Sequence, residues 1–391
     1  EILAVPREQR ATFRRRLANL VQIGELIKIR GNRYGLPRRM RLVTGEVHVN
    51  PRGFGFVTPE ESTTGLDGDL YVAGGNLNQA MNGDRVVARV ERRGPGSRSE
   101  GRIVRILERR TKQLVGRFEI DESGLAFVVP FDRRIVTDVH IPEGKNGQAD
   151  MGEVVVVVLT RWPTSTRGPV GEVTEVLGNP DSPGVDTELV IREFQLPDDH
   201  GLAAVAEARK WGQKIRPRDL KARHDFRSCQ TVTIDGESAR DFDDAITLEC
   251  LDNGNFWLGV HIADVGHYVP EGSVLDVAAH ERATSVYFPD KAVHMFPEEL
   301  STGICSLKPK VDRLVQSCLM EIDARGQVVR YEIHDGVIRS DARMTYTEVN
   351  AILVERDAQT RNAYAELVEL FDRMKHLFAV LHDRRRRRGS I

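Results

Sequence analysis

Four aspartates fall within ten residues of the run Thr233-Ile234-Asp235-Gly236-Glu237-Ser238-Ala239-Arg240-Asp241-Phe242-Asp243-Asp244. Carboxylates bunched on a short connection raise one another's pKa and oppose folding, unless a hard cation neutralises them through oxygen ligands. Two divalent ions held by shared carboxylates stabilise both the attacking water and the leaving oxygen of a phosphodiester, so the chemistry this pattern suits is phosphodiester hydrolysis. Asp235, Asp241, Asp243 and Asp244 are accordingly the candidate catalytic and metal-binding residues, with Mg²⁺, or Mn²⁺ in its place, as the cation. A calcium EF-hand loop is set aside, because the D-x-D-x-D-G spacing and the Glu at the twelfth position are missing. The plain alternative is a solvated acidic loop. The flanks argue against it: residues 230–234 and 245–251 are both β-prone, which puts the aspartates on a connection between two strands, where a rigid scaffold presents sites.

The elements upstream read as nucleic-acid-binding modules. Residues 7–23 carry Phe13, Leu17, Leu20 and Val21 at helical spacing, and Leu26 to Ile29 with Asn32 to Pro37 follow as a hairpin-like wing, the pattern of a partial winged helix over residues 1–42. That segment holds eleven Lys or Arg, among them Arg30 and Arg38, against Glu1, Glu8 and Glu25, a balance of +8. Such a surface contacts phosphates without regard to sequence. From Gly45 the hydrophobic period becomes two. Phe54 and Phe56 fall on one face of a strand, Gly53 and Gly55 leave the backbone uncluttered, Arg52 lies alongside and Tyr71 recurs in D-L-Y-V. Aromatic faces on a strand stack with bases at roughly 1–3 kcal/mol each, whatever the base, so Phe54, Phe56, Tyr71 and Arg52 are candidate RNA-binding residues; packing inside a small barrel is the alternative for the phenylalanines.

The pattern repeats, with Leu114 to Phe118, Gly124 to Val129 and Gly152 to Val158 echoing residues 45–47, 54–57 and 83–87. Two tandem five-stranded barrels of the OB or cold-shock type are expected, over residues 43–108 and 109–180. Residues 92–101, rich in Gly, Arg and Ser, read as a loop or linker, and the run from Asn179 to Gly184 punctuates the end of the second barrel. A connecting segment, 181–228, with a helix-prone stretch at 201–212, leads to a mixed α/β domain from residue 229. There a hairpin joins residues 245–251 to 256–262, another joins 314–322 to 328–333, and helices are expected at 347–355 and 363–383. His261 and His267 flank Ala263-Asp264, a spacing that suits structural histidines better than metal ligands. Arg384 to Arg388 form a second basic patch, read either as a solvated helix face or as an RNA contact.

Composition sets the bounds. With 391 residues, 40% hydrophobic and 29% charged, the chain can build two to four globular domains and is not biased towards disorder. No run of 18 apolar residues and no signal pattern at Glu1 are present, and Cys229, Cys250, Cys305 and Cys318 lack metal or disulfide spacing, so a reduced, cytoplasmic protein without membrane association is expected. The lack of an initiating Met suggests a fragment.

The motifs T-I-D-G-E-S-A-R-D-F-D-D-A-I, G-V-H-I-A-D-V-G-H-Y-V, R-A-T-S-V-Y-F-P-D, M-F-P-E-E-L-S and S-T-G-I-C-S-L resemble the ribonuclease II superfamily, and within it the ribonuclease R branch. With the partial winged helix and the two barrels the resemblance covers nearly the whole chain. It implies an α+β multidomain fold ending inside a ribonuclease II-type catalytic domain, and processive, divalent-metal-dependent hydrolysis of RNA from the 3′ end to nucleoside 5′-monophosphates. Asp235, Asp241, Asp243 and Asp244 match the family's four catalytic aspartates, with Asp243 the one whose loss abolishes cleavage, and Tyr287 matches the aromatic that stacks on the 3′-terminal nucleotide. A packed core position is the alternative for Tyr287. The family's catalytic domain continues beyond Ile391, with an arginine that assists the transition state, another acidic residue and a C-terminal OB-type domain, so this piece is expected to bind RNA and to cleave it poorly or not at all. The implied partners are single-stranded and structured RNA, with ribosome or RNA-decay partners in prospect, and the expected state is a monomer. The competing readings are a non-catalytic RNA-binding or chaperone module of tandem cold-shock barrels, and an enzyme nearer ribonuclease II itself, which stalls at duplexes; the basic N-terminal segment favours the ribonuclease R branch.

Overall fold

A computed structural model describes residues 5–29, 33–60, 68–93 and 99–390, which fall into two compact units, Glu1–Leu196 and Pro197–Ile391. The first unit opens with α1 (Arg10–Gln22), whose stripe of Phe13, Leu17, Leu20 and Val21 is half-buried. The antiparallel pair β1 (Ile27–Ile29) and β2 (Arg33–Gly35) follows, while Arg30 and Asn32 of the expected wing lie outside the described residues.

Two closed five-stranded barrels come next. The first is built from β3 (Leu42–Val49), β4 (Gly55–Pro59), β5 (Leu70–Val72), β6 (Arg85–Arg93) and β7 (Ser99–Glu108), closed in the order β3-β4-β5-β7-β6. The second uses β8 (Gln113–Ile120), β9 (Ala126–Pro130), β10 (Val139–His140), β11 (Val154–Arg161) and β12 (Val170–Gly178), closed as β10-β12-β11-β8-β9. In both, the third strand pairs parallel with the fifth, and Val57 opposite Leu70 in one barrel corresponds to Val128 opposite Val139 in the other. Alternation sends Val47, Val57, Leu70, Val72 and Val86 inward to a solvent-free core and leaves their neighbours outside.

The ends of the loop or linker expected at 92–101 are strand. β6 runs to Arg93 and β7 starts at Ser99, with residues 94–98 outside the described residues. A Cβ on Gly101 would lie 2.3 Å from the Arg89 carbonyl oxygen, so glycine at this position lets β7 close on β6. Inside the first unit Asp84 is fully buried, accepting from the Met81 and Arg110 amides at 2.8 and 3.0 Å and from Arg109 Nη1 at 2.8 Å, which pins the strand exit of the first barrel to the entry of the second. Helix α2 (Val185–Glu193) seats Val185 among Val115, Val154 and Val156.

The second unit begins with α3 (Gly201–Arg209) and is organised by a seven-stranded sheet, β13 (His224–Asp225), β14 (Thr231–Asp235), β15 (Asp244–Cys250), β16 (Phe256–Ala263), β19 (Asp312–Ile322), β20 (Val328–Arg339) and β21 (Ala342–Thr345), in the order β13-β20-β19-β16-β15-β14-β21. Between β16 and β19 the chain forms α4 (Val265–Tyr268), α5 (Val274–Arg282) and the two-stranded hairpin β17 (Val286–Tyr287) and β18 (Ala292–Val293). Period two divides the sheet: Ala245, Ala263, Val315 and Leu319 face Ala208 of α3 and Leu275 of α5, while Leu248, Leu258, Met320 and Ile322 face the C-terminal helices.

Those helices differ from the two expected. The first, α6 (Tyr346–Asn350), is started by a capping box between Thr345 and Glu348 and passes into a wider turn over Ala351–Glu355. A short α7 (Ala358–Ala363) then intervenes, and the long α8 (Val368–Arg387) starts five residues later than the sequence pattern suggests, because Tyr364 leaves helical geometry to donate from its hydroxyl to Glu348 Oε1 at 2.7 Å. It also runs on through Arg384 to Arg387, cations that suit the negative end of a helix dipole. All four cysteines are unpaired.

Candidate active site

Asp235 is the last residue of β14 and Asp244 the first of β15, two neighbouring antiparallel strands whose pairing stops at Val232 and Ile246 and then splays into the connecting loop. The aspartates therefore sit on one strand end, one strand start and the loop between them. Phe242 is buried under that loop, which turns the adjacent Asp243 outward, while the Asp241 side chain is only 11% exposed. Ser306 clamps the loop twice, accepting from the Phe242 amide at 3.1 Å and donating to the Arg240 carbonyl at 2.8 Å. Arg343 on β21 holds the other side, donating from Nη2 to the carbonyls of Gly236 and Glu237 at 2.6 and 3.0 Å. A loop fixed this way cannot swing its carboxylates away from one another.

The electrostatic consequence is visible in two of them. Burial, and after it the nearby Asp244 charge, pushes the Asp235 carboxyl up to about 6, with Arg343 opposing. Asp243 is solvent-accessible by area but lies against the wall of a pocket, and that partial desolvation, with Asp241 and Asp244 adding to it, raises its carboxyl as well. Asp235 Oδ2 is buried without a hydrogen-bond partner among the described residues. A buried acceptor beside like charges fits a hard cation, and so does the all-oxygen donor set. Among the described residues no three His, Cys, Asp or Glu side chains stand close enough to close a cation site by themselves. Mg²⁺ tolerates that, since it is held through one or two carboxylates and completes its shell with water and phosphate oxygens.

Tyr287 joins the cluster. The residue is 62% exposed, which excludes a packed core position, and its hydroxyl donates to Asp241 Oδ2 at 2.5 Å. Partial burial, and then this bond, push the phenol up to about 12. His294, which no sequence spacing singled out, stands with Nδ1 3.7 Å from the same carboxylate oxygen. Asp241, Tyr287 and His294 line both a pocket of about 300 Å³ with an apolar floor and a larger hollow of about 790 Å³, of mixed polar and apolar lining, that reaches Lys291 and Arg343. Ser306 stands in the S-T-G-I-C-S-L motif without a role assigned to it and Arg343 in no motif, because their roles come from contacts 64 and 107 residues away along the chain.

His261 lies in the sheet core, fully buried between Thr247 Oγ1 at 3.1 Å and Ser317 Oγ at 2.8 Å, and burial lowers it to about 4. It is a satisfied neutral histidine. A Cβ on Gly259 would meet Thr247 Oγ1 at 2.2 Å, so glycine makes room for this network.

In the first barrel Phe54, Phe56 and Tyr71 form a triangle with ring centroids 5.7 to 5.8 Å apart. All three are half-buried on the outside of the barrel and absent from its core, which is filled by Val57, Leu70 and Val72. Arg52 is exposed on the turn that leads to them.

Comparison with known proteins follows the same division. Residues 45–106 match the Ribonuclease B OB domain, 127–200 the cold shock domain and 223–391 the RNB domain. A ribonuclease R from Acidithiobacillus ferrooxidans is 39% identical over 392 residues, covering all of this chain and 88% of that protein. The chain belongs to the ribonuclease R family. Ribonuclease R of Vibrio parahaemolyticus is 40% identical over 384 residues, 98% of this chain but 46% of the relative, so the chain spans about half the length of such relatives. The fold is likewise that of a solved ribonuclease R structure, "Mycoplasma genitalium RNase R in complex with ribose methylated single-stranded RNA", with a TM-score of 0.78 at 23% identity over 88% of this chain and 54% of that one. Among the described residues no helix is long and apolar enough to cross a membrane.

Proposed function

We propose that this ribonuclease R sequence carries the RNA-binding barrels and the acidic half of the active site of a processive 3′-to-5′ exoribonuclease, which hydrolyses single-stranded and structured RNA to nucleoside 5′-monophosphates. One observation carries the reading: four aspartates are fixed at the facing ends of β14 and β15, next to an exposed tyrosine, within the segment that matches the RNB domain. Neither the fold nor the family name alone would be enough, since function lives in the site.

In this reading Asp235, Asp241, Asp243 and Asp244 would hold Mg²⁺, which would supply polarisation of the scissile phosphate and of the attacking water. Tyr287 offers its exposed ring to the 3′-terminal base, in a hollow whose Lys291 and Arg343 carry positive charge towards the phosphates. Phe54, Phe56 and Tyr71 give the incoming strand a sequence-tolerant stacking surface, and Arg52 adds a phosphate contact. Replacing Asp243 by Asn in the natural gene product tests the assignment: the reading requires loss of Mg²⁺-dependent cleavage with RNA binding retained. A non-catalytic RNA-binding module would show the same binding with no cleavage in either form.

A further inference from the structure

We propose that Tyr287 is a positioning residue for a cation ligand in addition to offering a stacking face: its hydroxyl orients Asp241, so that cation loading and the seat of the terminal base depend on one side chain. The inference rests on the reading of Asp241 as a metal-binding carboxylate given above.

An exposed tyrosine has water available to its hydroxyl and no need of a protein partner. Tyr287 nevertheless commits its hydroxyl to Asp241 Oδ2 at 2.5 Å, a short charge-assisted bond. The bond joins two separately fixed elements. Asp241 rides on the loop clamped by Ser306 and Arg343, whereas Tyr287 is held on the β17–β18 hairpin by its pairing with Ala292. The other arm of that hairpin brings His294 to the same oxygen at 3.7 Å, with its ring edge-on to Tyr287 at 6.3 Å between centroids and 88° between planes. The Met295 amide, donating to Ser285 Oγ at 2.9 Å, ties the residue after His294 to the one two positions before Tyr287 across the hairpin. The phenol thus reaches the carboxylate with its direction fixed on two sides.

A carboxylate has about four lone-pair directions on two oxygens. One hydrogen bond to Oδ2 sets the plane of the group and leaves the remaining directions for a cation, which is how outer partners orient metal ligands elsewhere; removing such a partner lowers metal affinity about 10- to 100-fold. Nothing in stacking requires the hydroxyl, because a phenylalanine ring offers the same face. Tyr287→Phe therefore separates the two roles, and at 62% exposure it does so without disturbing a core.

The test is a titration of this chain with Mn²⁺ followed by electron paramagnetic resonance of the free ion, for the unmodified protein, Tyr287→Phe and Asp243→Asn, with thermal melts as the folding check. The expected result is Mn²⁺ binding weakened about 10- to 100-fold by Tyr287→Phe at unchanged melting temperature. Wild-type Mn²⁺ affinity in Tyr287→Phe, alongside its loss in Asp243→Asn, would overturn the positioning role and leave the nuclease reading standing. Mn²⁺ affinity unchanged by Asp243→Asn would sink the cation reading of the cluster, and this inference with it.

Discussion

Phe56 stands directly across from Tyr71 in the β4–β5 register, ring centroids 5.8 Å apart, on the outer wall of a barrel whose interior they do not enter. Two aromatic rings kept half-exposed on a strand pair are costly to leave beside water unless something covers them. Phe56→Ala and Tyr71→Ala should each weaken binding of single-stranded RNA by about 1–3 kcal/mol, while the melting temperature of the first unit stays nearly constant. Fluorescence anisotropy with a labelled oligoribonucleotide measures the first quantity and calorimetry the second. A large fall in stability with unchanged affinity would make these rings structural.

Much of this architecture was legible in the chain. The barrels could be read because period-two patterning marks several of their strands, as in Leu42–Val49 and Leu70–Val72, and because the second barrel repeats the first. The placement of the four aspartates could be read because two β-prone runs flank them, which puts them on a connection between strands. What could not be read depends on distant parts of the chain. His294 meets Asp241 only because the β17–β18 hairpin folds towards the loop, and Ser306 clamps that loop from 64 residues away. The start of α8 depends on Tyr364 giving up helical geometry for a bond to Glu348, and the strand ends at Arg93 and Ser99 depend on pairing that closes the barrel, with glycine at Gly101 for the close approach.

His261 predicts a pH dependence. Below about pH 6.5 the unfolded chain takes up a proton that folded His261 refuses until about pH 4, so stability is intact above that window and falls as pH drops through it. The loss is on the order of 3 kcal/mol. His261→Gln should be less stable than the parent at pH 7.5, and the difference should narrow steadily from pH 6.5 to pH 4 in urea denaturation. A constant difference across that range would show that the histidine is charged when folded.

Asp84 predicts a stability defect far from the acidic loop. Its carboxylate is the common acceptor for two backbone amides and Arg109, so Asp84→Ala leaves two donors and a partly buried guanidinium without their partner. A loss of about 3–5 kcal/mol in the first unit is expected by chemical denaturation. A loss under about 1 kcal/mol would mean that water replaces the carboxylate at no cost.

Asp235 should trade stability for function. Burial and Asp244 both disfavour its charge, so Asp235→Asn should raise the melting temperature in the absence of divalent ions. Mg²⁺ should then stabilise the unmodified chain more than the variant, because binding to the folded state alone shifts unfolding. Differential scanning calorimetry with and without Mg²⁺ decides this, and equal shifts in both proteins would remove Asp235 from the cation site.

The most direct measurement is a product ladder from 5′-labelled single-stranded RNA incubated with Mg²⁺ and the natural gene product carrying this sequence, beside its Asp243→Asn form. The account predicts stepwise shortening from the 3′ end to a very short product with release of nucleoside 5′-monophosphates, and intact but bound RNA with the variant. Equal cleavage by both forms, or internal cuts in place of a ladder, would contradict it.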